Sequence, residues 1–323
     1  MLLIQNKRLF YGLFISLSFC LNSQIKAQDL EAISLEAGFN DAATQVESRL
    51  LNAPEASYVY LEHWINVYEN SNSTNTPRLI ILPPRPKKLQ TAANIPNQKN
   101  LVDRNTKWHP NGLPIISPEW RYADPISFEK PSRFRPALPP PIESEDFKKD
   151  LQDVLIYGDL HSKIRTPEQS LISAYWANGT GTNTPPGRWN LIALETTQNV
   201  PRDTRIKIML LLNIALYDAS IAAWDAKYHY DYWRPQTAIS KTNNEFADWE
   251  PMMQPPFHPE YVSGHSTFSG AAETILNHFI NDQSFCITAK ELSNVEMCYD
   301  DFNQAAEEAG RSRIYGGASF RIF

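Results

Sequence analysis

The chain has 323 residues, 42% hydrophobic and 20% charged, which is enough apolar material for one large globular domain or two smaller ones. Its formal net charge is −6 at pH 7. That balance argues against nucleic acid as a partner and leaves any anion site to local clustering of positive side chains.

The N-terminus has the pattern of an export signal. Lys7 and Arg8 precede an apolar run from Leu9 to Leu21, and Ala27 is the small residue before a cleavage point. The run is short for a bilayer span. The expectation is a signal peptide over residues 1–27, a secreted or periplasmic product, and no stable membrane anchor. A lipid attachment at Cys20 is disfavoured by the bulky Phe19 before it. Without this segment two cysteines remain, Cys286 and Cys298. In an exported chain they suggest one local disulfide, with two buried thiols as the other reading. No further cysteine or close histidine pair accompanies them as a metal site.

A helix is expected over residues 41–70, with Val46, Leu50, Leu51, Tyr58, Leu61, Trp64 and Ile65 forming its apolar positions. Proline then recurs through residues 76–143, in "ILPPRPKK", "HPNGLP" and "ALPPPIE", which predicts an irregular extended arm. Residues 28–143 are therefore read as an N-terminal helix and arm, and residues 144–323 as a compact helical domain. In "RTPEQSLISAYWA", Thr166 is the expected N-cap, Pro167 the first helical residue and Gln169 the capping-box partner. "NGTGTNTPPGRWN" reads as a loop and "NLIALETTQN" as a further helix. Asp203 opens a long segment that is apolar on most faces from Ile206 to Trp224, the signature of a central buried helix. Ser263 or Ser266 opens another, with Phe268, Ala271, Ala272, Ile275 and Phe279 on one face. Asp300 or Asp301 opens the last, with Phe302, Ala305, Ala306 and Ala309 inward. No set of alternating strands stands out, so the class is mainly α.

Three clusters carry possible chemistry. In "KYHYDYWRP", Lys227 and Arg234 are two helical turns apart and share a face if the helix continues, with Pro235 marking its end. Alone, they read equally well as a solvated basic patch. In "EYVSGHSTFSG", Ser263, Gly264 and His265 stand at a helix start, where free N–H groups and the dipole favour an oxyanion. Alone, Ser263 is as well explained as a cap. In "GRSRIYGGASF", Arg311 and Arg313 end the last helix, where cations are expected on dipole grounds.

In this order and spacing the three clusters resemble the vanadium-dependent haloperoxidases, which share their fold and site with the type 2 phosphatidic acid phosphatases. The resemblance runs from about Arg165 to the last residue. It implies a helical bundle of the haloperoxidase/acid phosphatase type, preceded here by the proline-rich arm. It also implies a vanadate or phosphate site in which Lys227, Arg234, Ser263, Gly264 and Arg313 hold the oxyanion and His265 is the acid–base residue. Trp224 and His258 match positions near the halide, and a histidine at 258 leans toward bromide or iodide. Implied partners are halide, hydrogen peroxide and an organic acceptor, or a phosphate ester in the phosphatase alternative. The family motif ends in S-R-x5-H, and the histidine is the protein ligand to vanadium and the phosphatase nucleophile. Here Ser319 stands in its place, and Phe323 stands where phosphatases have an orienting Asp. The expectation is a truncated or degraded member, with weakened or absent vanadate binding. A frameshift near residue 318 would explain both the serine and the stop.

Overall fold

The computed structural model describes residues 35–71, 80–88, 106–109, 115–242, 246, 248–280, 284–289 and 292–321. The export signal expected over 1–27 lies outside them, as does much of the proline-rich arm. Among the described residues the fold is mainly α, with one small hairpin.

Two helices, α1 (Leu35–Ser48) and α2 (Ala53–Ser71), stand where one was expected over 41–70. The break falls at Leu50, which takes a left-handed φ of 52° and is 65% exposed. Pro54 restarts the helix in its first turn, where a missing N–H costs nothing. Ser144 caps α3 (Glu145–Tyr157), accepting from the Phe147 N–H at 3.2 Å. The helix α4 (Pro167–Tyr175) opens with the expected capping box between Thr166 and Gln169.

The helix α5 (Thr184–Thr196) starts earlier than the sequence suggested. "TPPGRWN", read as loop, forms its first turns, because prolines at the first helical positions have a suitable φ and no N–H to leave unpaired. Gly187 in this helix meets α2 closely: a Cβ there would lie 2.6 Å from the Tyr60 hydroxyl oxygen.

The helix α6 (Arg202–Tyr230) is buried on nearly every side, as its all-round apolar pattern predicts. By length and composition it could cross a membrane, yet it is enclosed by the rest of the chain and reads as a core helix. One hydrophobic cluster joins Phe39 and Trp64 of the N-terminal helices to Leu212 and Ile221 of α6 and to Phe268 and Phe302 further on. The hydrophobic core therefore runs across the boundary drawn near Ser144. A polar pin crosses it too. Trp64 Nε1 donates to Asn190 Oδ1 at 2.9 Å, and the Asn190 and Asn213 amides donate to each other at 2.9 and 2.8 Å.

The described part of the arm is latched along α6. The Asp218 carboxylate accepts from the Ile126 and Ser127 N–H groups, each at 2.8 Å, and from the Ser127 hydroxyl. Arg135 forms a two-point bridge to Asp225 at 2.7 and 2.8 Å. The Ile116 carbonyl accepts from Trp224 Nε1 at 3.2 Å and from the Tyr228 hydroxyl at 2.6 Å.

The end of α6 differs from the expectation. The helix stops at Tyr230, and Asp231 takes a left-handed φ of 52°. Arg234 lies in the linker before α7 (Pro235–Thr242), so it does not share a helix face with Lys227. Beyond it, α8 (Gly264–Phe279) is capped by Ser263. Phe268, Ala271, Ala272 and Ile275 face inward as expected, whereas Phe279 is 38% exposed.

A hairpin, β1 (Phe285–Ala289) and β2 (Val295–Tyr299), was not anticipated. Phe285, Ile287 and Ala289 alternate inward, and Cys286 lies opposite Cys298 on the exposed face, where the two form a disulfide. Asp301 caps α9 (Phe302–Tyr315), accepting from the Gln304 N–H at 2.6 Å. Gly317, with φ 70°, then turns the chain against α3; a Cβ there would lie 2.6 Å from the Gly158 carbonyl oxygen. Phe320 follows, fully buried against Phe147 and Tyr232.

Candidate active site

The end of α6, the linker, the start of α8 and the end of α9 converge on one cavity of about 90 Å³. Trp224, Lys227, Arg234, His258, Ser263, Gly264, His265, Arg313 and Ser319 all line it. Every residue singled out from the three clusters is thus brought together, except Arg311, whose side chain is exposed and pairs with Glu307 at 3.6 Å. A larger cavity, about 370 Å³, lies between α1 and α2 and contains none of these residues.

Lys227 is 1% exposed. Its ammonium donates to the carbonyls of Pro259 at 3.1 Å, Glu260 at 2.8 Å and Val262. Its N–H groups therefore pin the strand of chain that leads into Ser263. Burial, then the charges of Arg234 and Arg313, push its pKa well below the ordinary lysine value, while Glu260 acts in the other direction. Arg234 holds the same segment. Its Nε and Nη2 donate to the His258 carbonyl at 3.1 and 2.8 Å, and Nη1 donates to the Ala318 carbonyl at 2.8 Å. Burial lowers the Arg234 pKa to about 10, which leaves it charged at neutral pH. Arg313 is lowered to about 10 as well, by burial and by Arg234. Its Nη1 is buried and has no hydrogen-bond partner.

Glu260, fully buried, is the carboxylate that faces Lys227 and Arg234; burial pushes its pKa up to about 7 against their attraction. Arg234 and Arg313, both charged, against one partly titrated carboxylate leave the cavity positive. Such an imbalance is costly unless an anion is present.

Of the two histidines, His265 is held in a defined tautomer. His258 Nδ1 lies 2.9 Å from Arg234 Nη2, which can only donate, and 2.9 Å from the Pro259 carbonyl, which can only accept, so these contacts select no single tautomer. His265 Nε2 lies 2.7 Å from the Trp176 carbonyl, an obligate acceptor. The neutral ring is therefore protonated at Nε2 and offers Nδ1 as the free base. Burial, then Arg313, lowers its pKa well below the ordinary value. The His258 ring is also lowered well below the ordinary value, by burial and then by Lys227. It stands 5.2 Å from the Trp224 ring.

Ser263 accepts from the Ser266 N–H at 3.3 Å, so it is a helix cap in addition to lining the cavity. Gly264 is not required by crowding: a Cβ there would find ordinary contacts, 3.8 Å from Phe268 and from Trp224. What a side chain would fill is the space over the α8 N-terminus, where a ligand can approach the backbone.

Residues 207–322 match the family described as the VCPO second helical-bundle domain. The chain is also 26% identical over 150 residues to the vanadium chloroperoxidase of Curvularia inaequalis, a match covering 38% of this chain and 24% of that protein. It superposes on a bacterial vanadium-dependent iodoperoxidase with a TM-score of 0.75 at 21% identity, covering 92% of this chain and 93% of the other. About a third of the chain thus matches a vanadium haloperoxidase domain, and the whole has the fold of the bacterial enzymes. An apo-form bacterial vanadium-dependent chloroperoxidase superposes more loosely, with a TM-score of 0.58 at 14% identity, over 99% of this chain and 89% of that one. The match to the Curvularia protein thus spans about a quarter of that protein's length.

The cavity fits part of what a vanadium haloperoxidase needs. The unpartnered Arg313 Nη1, the excess positive charge and the open helix N-terminus suit an oxyanion. The wall at position 319 does not supply a nitrogen ligand. Ser319 is 5% exposed, and its hydroxyl oxygen accepts from Arg234 Nη1 at a long 3.4 Å. A neutral hydroxyl keeps its proton near pH 7 and is a poor replacement for an imidazole lone pair.

The clusters did not reveal the rest of the lining. Asn52 and Ala53 come from the corner between α1 and α2, Ile116 from the arm, and Ala177 to Thr180 from the loop before α5. In the sequence these are ordinary turn and loop residues.

Proposed function

We propose that this cavity is the oxyanion site of a haloperoxidase-like protein, and that Ser319 has uncoupled anion binding from efficient halide oxidation. The observation that carries the reading is the buried, unpartnered Arg313 guanidinium nitrogen in a cavity shared with Lys227, Arg234 and the α8 N-terminus. Lys227, Arg234 and Arg313 supply the charge; Ser263 and the backbone at Gly264 supply the hydrogen-bonding floor. Vanadate, when bound in such a site, supplies the electrophilic centre at which hydrogen peroxide oxidises a halide. The chain's own part in that reaction is proton handling and exclusion of water. His265 Nδ1 is the base that takes a proton from an incoming hydroxyl or peroxide and returns it, while the Trp176 carbonyl holds the ring in place. His258 and Trp224 form the wall on which bromide or iodide would settle.

Binding and turnover separate experimentally. Calorimetric titration should show orthovanadate and inorganic phosphate binding with similar affinity, because charge and hydrogen bonding treat the two tetrahedral anions alike. Ser319→His should tighten vanadate selectively and raise peroxide-dependent bromide or iodide oxidation. Unchanged vanadate affinity in that variant would sink the assignment. The phosphatase alternative predicts phosphate-ester hydrolysis without vanadate, and it is the reading most damaged by Ser319, which removes the nucleophile.

We also propose export of the chain. The N-terminal pattern motivates it, and the Cys286–Cys298 bridge supports an oxidising destination. Mass spectrometry of the mature protein should find Gln28 at the N-terminus; an uncleaved product would refute the signal reading.

A further inference from the structure

The loop between α4 and α5 forms one side of the cavity and already holds His265 through the Trp176 carbonyl. Asn178 follows two residues later. It is 7% exposed and lines the cavity. Arg188, buried on α5, donates from Nη2 to Asn178 Oδ1 at 3.4 Å. A guanidinium carries donors alone, so the amide oxygen must face it and the amide nitrogen must face away. That nitrogen, Nδ2, is buried and has no hydrogen-bond partner. Arg313 Nη1 is in the same condition in the same cavity. A buried N–H without an acceptor destabilises the fold unless a ligand brings one.

We infer that Asn178 is a further anion-binding residue, whose amide N–H donates to an oxygen of the anion held by Lys227, Arg234 and Arg313, with Arg188 as the positioning residue that sets the amide's direction. The inference rests on the oxyanion reading of the cavity and adds to it a neutral donor from the loop that also holds His265. A bland explanation exists for asparagine here. Asn178 has a left-handed φ of 39°, a conformation that asparagine and glycine adopt more readily than other residues. Backbone preference accounts for the residue type but leaves the orphaned amide nitrogen unexplained.

Asn178→Gly separates the two explanations, because glycine keeps the backbone conformation and removes the donor. Full-length protein is titrated with inorganic phosphate in a calorimeter, and its Tm is measured without anion. The expected result is phosphate binding about tenfold weaker or more, as for a lost hydrogen bond to a charged group, with no drop in anion-free Tm. Asn178→Asp, which keeps the shape but turns a negative oxygen toward the anion, should bind more weakly still. It also carries the test if the glycine variant fails to fold. Phosphate affinity equal to that of the unsubstituted protein in both variants overturns the role of Asn178 and leaves the oxyanion reading standing. Failure of the unsubstituted protein to bind phosphate or vanadate overturns that reading and this inference together.

Discussion

At the scale of single residues, the cavity works by withholding partners. Lys227 and Arg234 spend their N–H groups on backbone carbonyls and act on an anion mainly by charge, whereas Arg313 keeps a nitrogen unpaired. Arg313→Met should therefore weaken phosphate binding by more than tenfold in calorimetry, while His265→Ala should leave it within a few-fold. In the Ser319→His background, the same His265→Ala change should abolish halide oxidation. A parallel loss of binding and turnover would show that His265 holds the anion instead of moving protons. Outside the cavity, Asp150 is a buried carboxyl on α3 whose pKa burial raises to about 7. Its folded value lies above its unfolded one, so the folded state binds more protons between about pH 4 and 7. The stability it contributes is present at low pH and is lost as pH rises through about 7. Asp150→Asn should thus raise Tm at pH 8 more than at pH 5 in a thermal melt at each pH. The three clusters were legible because each puts charge or a cap at a helix end, where the chemistry follows from the backbone. The destination of each N–H was not legible. The carbonyls that occupy Lys227 come from residues 259–262, and nothing local to Lys227 announces them.

At the scale of elements, capping and breaking signals were the most readable features. Thr166 and Asp301 do in three dimensions what their spacing suggests, because a cap is satisfied within three residues. The helix ends that depend on tertiary contacts were misjudged. The chain breaks at Leu50 although the apolar period continues, and α6 stops at Tyr230 although no proline intervenes before Pro235. The hairpin was missed because its strands are five residues each and their inward faces are legible only against the core they cover. Its disulfide closes a short loop. Replacing both cysteines by serine should cost about 2–3 kcal/mol by the loop-entropy estimate, read as a lower denaturant midpoint. The latch at Asp218 is worth more than its single position suggests, since it accepts two backbone N–H groups and a hydroxyl. Asp218→Asn turns a donor toward those donors and should cost about 1–3 kcal/mol. Hydrogen exchange should quicken at Ile126 and Ser127 first; protection unchanged there would mean that the arm is held elsewhere.

At the scale of the whole molecule, the fold class and the resemblance were legible because three motifs follow in a fixed order over about a third of the chain, and the match over residues 207–322 covers all three. The role of the first half was not legible, since proline-rich sequence reads as an arm whether it is loose or latched. The buried positive charge has a molecule-wide effect: it opposes folding until an anion offsets it. Phosphate at a hundred times its dissociation constant should add about 2.7 kcal/mol of stability, seen as a rise in Tm. Lys227→Met should raise the Tm of the anion-free protein and remove most of that increment; a variant that melts lower without anion would show that the three carbonyl bonds outweigh the charge. The Ile116 carbonyl, shared by Trp224 and Tyr228, has a further consequence. A fragment expressed from residue 207 onward would carry every cation of the site and lack the wall that faces them. Conversely, a change of length in the arm, far from any motif, reshapes the cavity wall at Ile116. The shape of the cavity can therefore drift through a segment that leaves the three clusters untouched.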